Sequence, residues 1–309
     1  MAKTKREFPH YPKHWQLAYR HAMGWLVTDL VFHTHLGQVH HWNSRHHRKG
    51  LGMDYHAHIE PSLTFTGFTR YLIANLKSRA HSNAQFGSDF NLLNFLIGLS
   101  FIIGASHFIL ASILTLISNF SPHSLTSLYF IGSVFFTLAA YLQYFQSINS
   151  GESIHGKQHA QKKQWLAWQP HRLDFWVTFS QFIGTLLFNV NTFNGYFPFT
   201  DLELSLFIWL PNLLGSLCFQ LSGSLALYET SHQFWLWSPK RLEQKMAAIN
   251  HLGCLFFLGS AFSSSSAANA LSPDMLTFSI LLTCLGGMCF FSAAVLLCRE
   301  SIQIPQHSL

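Results

Sequence analysis

Residues 273–297 read PDMLTFSILLTCLGGMCFFSAAVLL. One acid, Asp274, stands at the start, and no Lys, Arg or Glu follows. A helix that crosses a bilayer needs about 20 predominantly apolar residues, more than an ordinary buried core helix uses. Five further runs upstream meet this requirement, at 90–118, 124–146, 173–193, 206–228 and 247–270. None contains Lys, Arg or Glu. Asp174, like Asp274, opens its run, where an acid favours the positive end of the helix dipole. The Ser-Pro steps in 119–123 and 272–273 mark tight turns between neighbouring runs. The whole chain of 309 residues is 49% hydrophobic and only 10% charged, against about 25% charged in a soluble domain. That balance excludes an ordinary soluble enzyme and a disordered protein.

The charges fall where a membrane protein puts them. Residues 1–89 hold 11 of the 19 Lys and Arg and 12 of the 20 His. The remaining basic residues are Lys157, Lys162, Lys163, Arg172, Lys240, Arg241, Lys245 and Arg299. With six spans, all of them lie on one side, and the opposite loops carry only Asp201 and Glu203. Lys and Arg stay on the cytoplasmic side during insertion. The expectation is therefore an all-α integral membrane protein with both termini cytoplasmic. It divides into a basic, His-rich segment at 1–89, a six-helix domain at 90–298 and a tail at 299–309. No secretory signal is expected, because the first apolar stretch is interrupted by Asp29 and flanked by His and Arg. The five cysteines form no Cys-x-x-Cys and read as small buried hydrophobes.

A short pattern of an apolar residue, Gly, a small residue and then apolar residues recurs once per run. It centres on Gly98, Gly132, Gly184, Gly215, Gly253 and Gly286. Small residues let helix backbones approach closely where lipid supplies no hydrophobic drive. These six glycines are expected at helix contacts, and the runs are expected to pair as three repeated hairpins at 90–146, 173–228 and 247–297. This hairpin pattern resembles the YrhK domain, a two-helix membrane module of bacteria. Residues 42–51, WNSRHHRKGL, resemble a stretch of larger bacterial membrane proteins that carry the module. So do 165–176, WLAWQPHRLDFW, with Gly184–Asn189, and 209–216, WLPNLLGS, where the family carries Asp in place of Asn212. The resemblance implies a multi-pass membrane fold and no particular reaction.

Several side-chain groups invite a functional reading. His35, His40, His41, His46 and His47 have overlapping His-x4-His-His spacing, and neutral imidazole is a good ligand for iron or zinc. Membrane desaturases bind two irons through boxes of this style, so a divalent metal and a metal-dependent oxidoreductase form one alternative. The boxes share His41, however, and no His-His pair occurs in the later basic loops. His107 and His251 enter the membrane at depths about 20 Å apart on a 1.5 Å rise, too far to flank one haem iron. Residues 12–32 place Trp15, Tyr19, Ala22, Met23, Leu26 and Leu30 on one helical stripe. Residues 62–80 combine apolar residues with Arg70, Lys77 and Arg79. Basic amphipathic segments lie in the membrane interface. Arg45, Arg48, Lys49, Arg70, Lys77 and Arg79 are accordingly expected to meet anionic lipid headgroups, each worth about 1 kcal/mol.

The favoured reading is a structural, interaction or lipid-surface-sensing membrane protein rather than an enzyme. Its cofactors and protein partners are unspecified, and no nucleic-acid-binding fold is evident. The other alternative is a channel or transporter for a neutral solute, because His107, Gln143, Gln181, Asn189, Asn191 and Gln220 are the polar groups inside the runs. The three-hairpin plan is similar to that of mitochondrial carriers, but the Pro-x-Asp/Glu-x-x-Lys/Arg signature is absent.

Overall fold

The computed structural model describes residues 9–50, 53, 90–117, 120–151, 153, 163–264 and 273–302. Six long helices dominate it: α2 (Phe90–Ile117), α3 (Pro122–Asn149), α4 (Leu173–Asn194), α5 (Asp201–Ser231), α6 (Leu242–Ser263) and α7 (Pro273–Ile302). All but α4 are long and apolar enough to cross a membrane, which makes this a helical membrane protein by length and composition. The exception has a physical cause, since α4 carries Asp174, Gln181, Asn189, Asn191 and Asn194. Each helix packs on the next and α7 packs back on α2, so the helices close into a ring. Residues 118–119 and 265–272, where part of the expected Ser-Pro turns falls, lie outside the described residues.

The N-terminal segment corrects the helical stripe expected over 12–32. Strands β1 (Gln16–Met23), β2 (Leu26–His33) and β3 (Val39–Asn43) form an antiparallel sheet in the order β1-β2-β3. In β2, Leu26, Val27 and Thr28 are buried, and from Thr28 on the buried Leu30 and Phe32 alternate with the more open Asp29, Val31 and His33. That period of two, with β-branched Val27, Thr28 and Val31, suits a pleated strand. A two-residue turn joins β1 to β2, and Gly24 takes φ +63° in it, a conformation cheap only without a Cβ. Val27, Leu30, Phe32 and Trp42 form the sheet's small core. Leu26 and Met23 dock the sheet on Leu173 and Val177 of α4 and Leu225 of α5. The sheet then feeds a short helix, α1 (Ser44–Arg48), whose first turn is capped by the Asn43 side chain accepting from the His46 N–H.

Inside the ring, three pairs of glycines bring neighbouring helices into backbone contact. A Cβ on Gly132 would lie 3.1 Å from the carbonyl oxygen of Gly104. On Gly215 it would lie 3.0 Å from that of Gly184, and on Gly286 it would lie 3.1 Å from that of Gly253. Gly104, not Gly98, therefore faces Gly132. Gly98 meets Cys298 of α7 instead. Four residues after each paired glycine comes a phenylalanine: Phe108, Phe136, Phe188, Phe219, Phe257 and Phe290. All six are buried in one core cluster. Within each helix pair they meet edge to face, at 5.4 Å (Phe108–Phe136), 5.0 Å (Phe188–Phe219) and 5.1 Å (Phe257–Phe290), an arrangement that aligns ring edges with π faces. Because α3, α5 and α7 run opposite to α2, α4 and α6, the six rings fall into two layers. Phe136, Phe219 and Phe290 all touch one another. In the other layer Phe257 touches both Phe108 and Phe188.

Candidate functional site

The end of the ring where α2, α4 and α6 begin is filled by α1. Its cations were expected on a lipid surface. They are instead buried, with Arg45, Arg48 and Lys49 only 6%, 7% and 6% exposed. The physical reason is a set of acids supplied by four different helices. Arg45 donates through Nη1 and Nη2 to the two oxygens of Glu300 on α7, at 2.8 and 2.9 Å, and its Nη1 lies 3.6 Å from Glu243 on α6. Lys49 donates to Glu300 as well. His46 Nε2 is 2.6 Å from Glu243. Arg48 Nη2 lies 3.3 Å from Glu229 on α5. On α4, Asp174 binds Arg172, with Nε donating at 3.0 Å, and accepts from the Ser147 hydroxyl of α3 at 3.0 Å. Isolated charges cannot be held in such burial, but paired and hydrogen-bonded ones can. Arg70, Lys77 and Arg79 lie outside the described residues.

Burial shapes the proton affinities of α1. It opposes the charge on Arg45, but Glu300 and Glu243 outweigh it and hold this guanidinium protonated above its ordinary range. For Lys49, burial and then the neighbouring Arg45 prevail over Glu300, and the ammonium is pushed down to about 7. His47, its Nε2 3.1 Å from the Gly151 carbonyl, is brought down to about 4 by burial and then by Arg172.

The histidines expected to share a metal are dispersed. His35 packs edge-on to His14, and His40 stacks on Trp15 at 4.9 Å. His41 lies opposite Val31 in the sheet, while His46 and His47 serve Glu243 and Gly151. No group of three or more His, Cys, Asp or Glu among the described residues is placed to hold a metal ion. In the bundle, His107 Nδ1 is 2.8 Å from the Ile103 carbonyl of its own helix.

Two chambers flank the phenylalanine layers. The inner one, about 100 Å³, lies between α1 and Phe290, with Gln143, Gln181, Asn250, Glu229 and Glu243 in its wall. The outer one, about 420 Å³, is bounded by Phe108, Phe188 and Phe257. Its wall carries Tyr129, Asn191, Asn212, Ser260 and Thr283 and no charged side chain. Here α5 makes a π-helical turn at Ser205–Trp209. Pro211 cannot donate to the carbonyl of Phe207, and that oxygen is taken by Asn194 Nδ2 at 2.8 Å. Asn191 Nδ2 likewise reaches the Ile208 carbonyl at 2.8 Å. Such π turns concentrate at functional sites.

The acids that hold α1 escaped a reading of apolar runs, because each run was cut at its last apolar residue. The helices continue past those limits and carry the acids inward. A regular spacing marks them. Asn94, Asp174 and Glu243 each precede the paired glycine by ten residues, and the phenylalanine follows four later. On the alternate helices, Gln146, Glu229 and Glu300 each follow the phenylalanine by ten. At 1.5 Å per residue, each ten-residue step is about 15 Å along a helix. Comparison of the chain with family models, curated proteins and solved structures gives no match.

Proposed function

We propose that this is a bacterial inner-membrane protein with six spans in three repeated hairpins, termini cytoplasmic, that passes a small solute of zero net charge along the bundle axis. The carrying observation is the pair of chambers on either side of the two phenylalanine layers, each with polar side chains set into a wall whose larger part is apolar. Polar groups there are costly where they stay unsatisfied, at several kcal/mol each in the hydrocarbon region, and the inner wall holds such atoms on Arg48, Gln143 and Glu229. A polar solute in the chamber would satisfy them. The recurrence of acid or amide, glycine and phenylalanine at one spacing supports the hairpin repeat, and the YrhK resemblance fits it. The π turn of α5 and α4's poor apolarity support movement of the α4–α5 hairpin. The outer chamber lacks charge, and the inner cluster sets the buried Arg45, Arg48, Lys49 and Arg172 against Asp174, Glu229, Glu243 and Glu300, with the exposed Arg241 reaching Glu243 at 2.9 Å. Both favour a solute without net charge over an ion. In this closed arrangement the phenylalanines are the barrier and α1 stops the cytoplasmic mouth.

Reconstituted vesicles test this. Protein-containing vesicles are expected to take up glycerol or glycine faster than empty ones. The double variant Phe219→Ala, Phe290→Ala, which thins one layer, is expected to raise that flux severalfold. Vesicles that stay as tight as empty ones with both proteins would exclude passage.

A further inference from the structure

The inner chamber differs from the rest of the ionic cluster in having polar atoms without hydrogen bonds. Arg45 is held in a two-pronged pair by Glu300, Lys49 by the same carboxylate, His46 by Glu243 and Arg172 by Asp174. Glu229 and Arg48 face each other as the loosest pair of the cluster. Glu229 is fully buried, and apart from the nearby Ser44 hydroxyl neither of its carboxylate oxygens has a hydrogen-bond donor in place. Its nearest charged neighbour is Arg48 Nη2, 3.3 Å away. Arg48 Nη1 and Gln143 Oε1 are buried without a partner too. All three residues line the same chamber.

Buried polar groups in native structures are almost always hydrogen-bonded, and a concentration of exceptions calls for an unseen partner. The exceptions here have a definite chemistry. Three acceptor oxygens, two from Glu229 and one from Gln143, seek donors. One donor group, the free nitrogen of Arg48, seeks an acceptor. A lone cation would satisfy the first set but sit against Arg48, and a lone anion would face Glu229. A molecule bearing an ammonium group and a carboxylate meets both, and its zero net charge leaves the charge of the cluster unchanged. Charge-assisted hydrogen bonds of this kind are the strong ones. The chamber's volume of about 100 Å³ is on the order of three waters at about 30 Å³ each. That is room for a solute of only a few heavy atoms. Phe101, Ala293 and Ala294 contribute apolar surface to the wall.

We infer that the inner chamber is a binding site for a small zwitterion, an amino acid of the size of glycine or alanine, with its ammonium on Glu229 and Gln143 and its carboxylate on Arg48. The inference rests on the passage reading above and names its substrate class.

The test is calorimetric titration of the full chain in lipid nanodiscs with glycine, alanine, acetate, methylammonium and glycerol. Glycine or alanine is expected to bind at one site per chain. Acetate and methylammonium, each carrying half of the recognised chemistry, are expected to bind at least tenfold more weakly. Glu229→Gln is expected to weaken glycine at least tenfold. Ala293→Leu, which narrows the chamber from its apolar side without touching the polar groups, is expected to abolish binding. The series on the unaltered protein needs no variant to fold. Absence of glycine and alanine binding to it, or equal affinity for glycine and methylammonium, overturns the zwitterion and leaves water as the occupant. Glycerol flux without zwitterion binding defeats this inference alone, whereas zwitterion binding without any flux supports the site and defeats the passage reading.

Discussion

The hairpin α2–α3 and the two that follow it use the same positions with different chemistry. At the mouth filled by α1, α2–α3 presents Asn94 and Gln146, joined by a 2.9 Å hydrogen bond from the Gln146 amide. The corresponding positions are Asp174 and Glu229 on α4–α5, and Glu243 and Glu300 on α6–α7. The neutral pair satisfies itself. The four acids cannot, and they take Arg172 and the cations of α1 as partners. Helix α1 therefore leans on the charged hairpins, and α2–α3 meets it through Asn94 donating to the Lys49 carbonyl at 3.3 Å. A polar ring inside a bundle is stable in two ways, by neutral side chains that pair locally or by charges neutralised from outside. Only the second ties another element of the chain to the bundle through ion pairs.

The largest effect should come from breaking the charged side. Glu300→Gln leaves Arg45 and Lys49 buried without their carboxylate. Loss of one partner of a buried ion pair costs about 3–5 kcal/mol, read as a drop in thermal stability in detergent. A loss no larger than that of an exposed polar substitution would mean that α1 is not held by this pair.

Acid should attack the same side. The His47 pKa is about 4 in the folded chain, against an ordinary value of 6.5. Between these values the unfolded chain binds more protons, so stability falls as pH drops from 6.5 towards 4. The shift corresponds to a loss on the order of 2–3 kcal/mol. Thermal melts across that range should show the fall, and His47→Gln, which keeps a donor for Gly151 but cannot titrate, should flatten it. The lipid-surface expectation has the opposite sign, with acid strengthening the attachment of this segment.

Glycine contacts sharpen the comparison between hairpins at a smaller scale. Gly184→Leu and Gly215→Leu should each cost about 1–3 kcal/mol by overpacking, and Gly132→Leu should cost the same, because the neutral hairpin shares this contact. Equal stability of all three variants and the parent in a detergent melt would reduce the glycines to composition. An effect at the lower end of that range is expected from Asn94→Ala, about 1 kcal/mol for each of its two hydrogen bonds with uncharged groups. If it proves as costly as Glu300→Gln, the two kinds of hairpin are not different in the way described.

Particular residues show how far the sequence could be read. The apolar runs announced the long helices, because a lipid-facing helix must be apolar over its whole length. Gly132, Gly184, Gly215, Gly253 and Gly286 stood in a visible pattern, but in the first helix two glycines competed for it. Gly98 lies in Ile-Gly-Leu-Ser-Phe and Gly104 in Ile-Gly-Ala-Ser-His-Phe, and only the partner across the contact distinguishes them. The N-terminal strands were misread because Trp15, Tyr19, Ala22, Met23, Leu26 and Leu30 satisfy a helical period by chance. The alternation of Thr28, Leu30 and Phe32 was the better signal.

What the sequence determined by itself is the partition between chain that can face lipid and chain that cannot, and a consistent sidedness of charge. Both follow from transfer energies that act residue by residue, whatever the neighbours. The fate of WNSRHHRK was decided only by the tertiary structure. Three fixed cations in a row suit a lipid surface as well as a protein interior, and the choice depends on carboxylates up to 255 positions away in the chain. Closing the ring gathers Glu229, Glu243 and Glu300 at one mouth. Only there does pairing offset the desolvation of Arg45, Arg48 and Lys49, so their burial is a property of the assembled bundle.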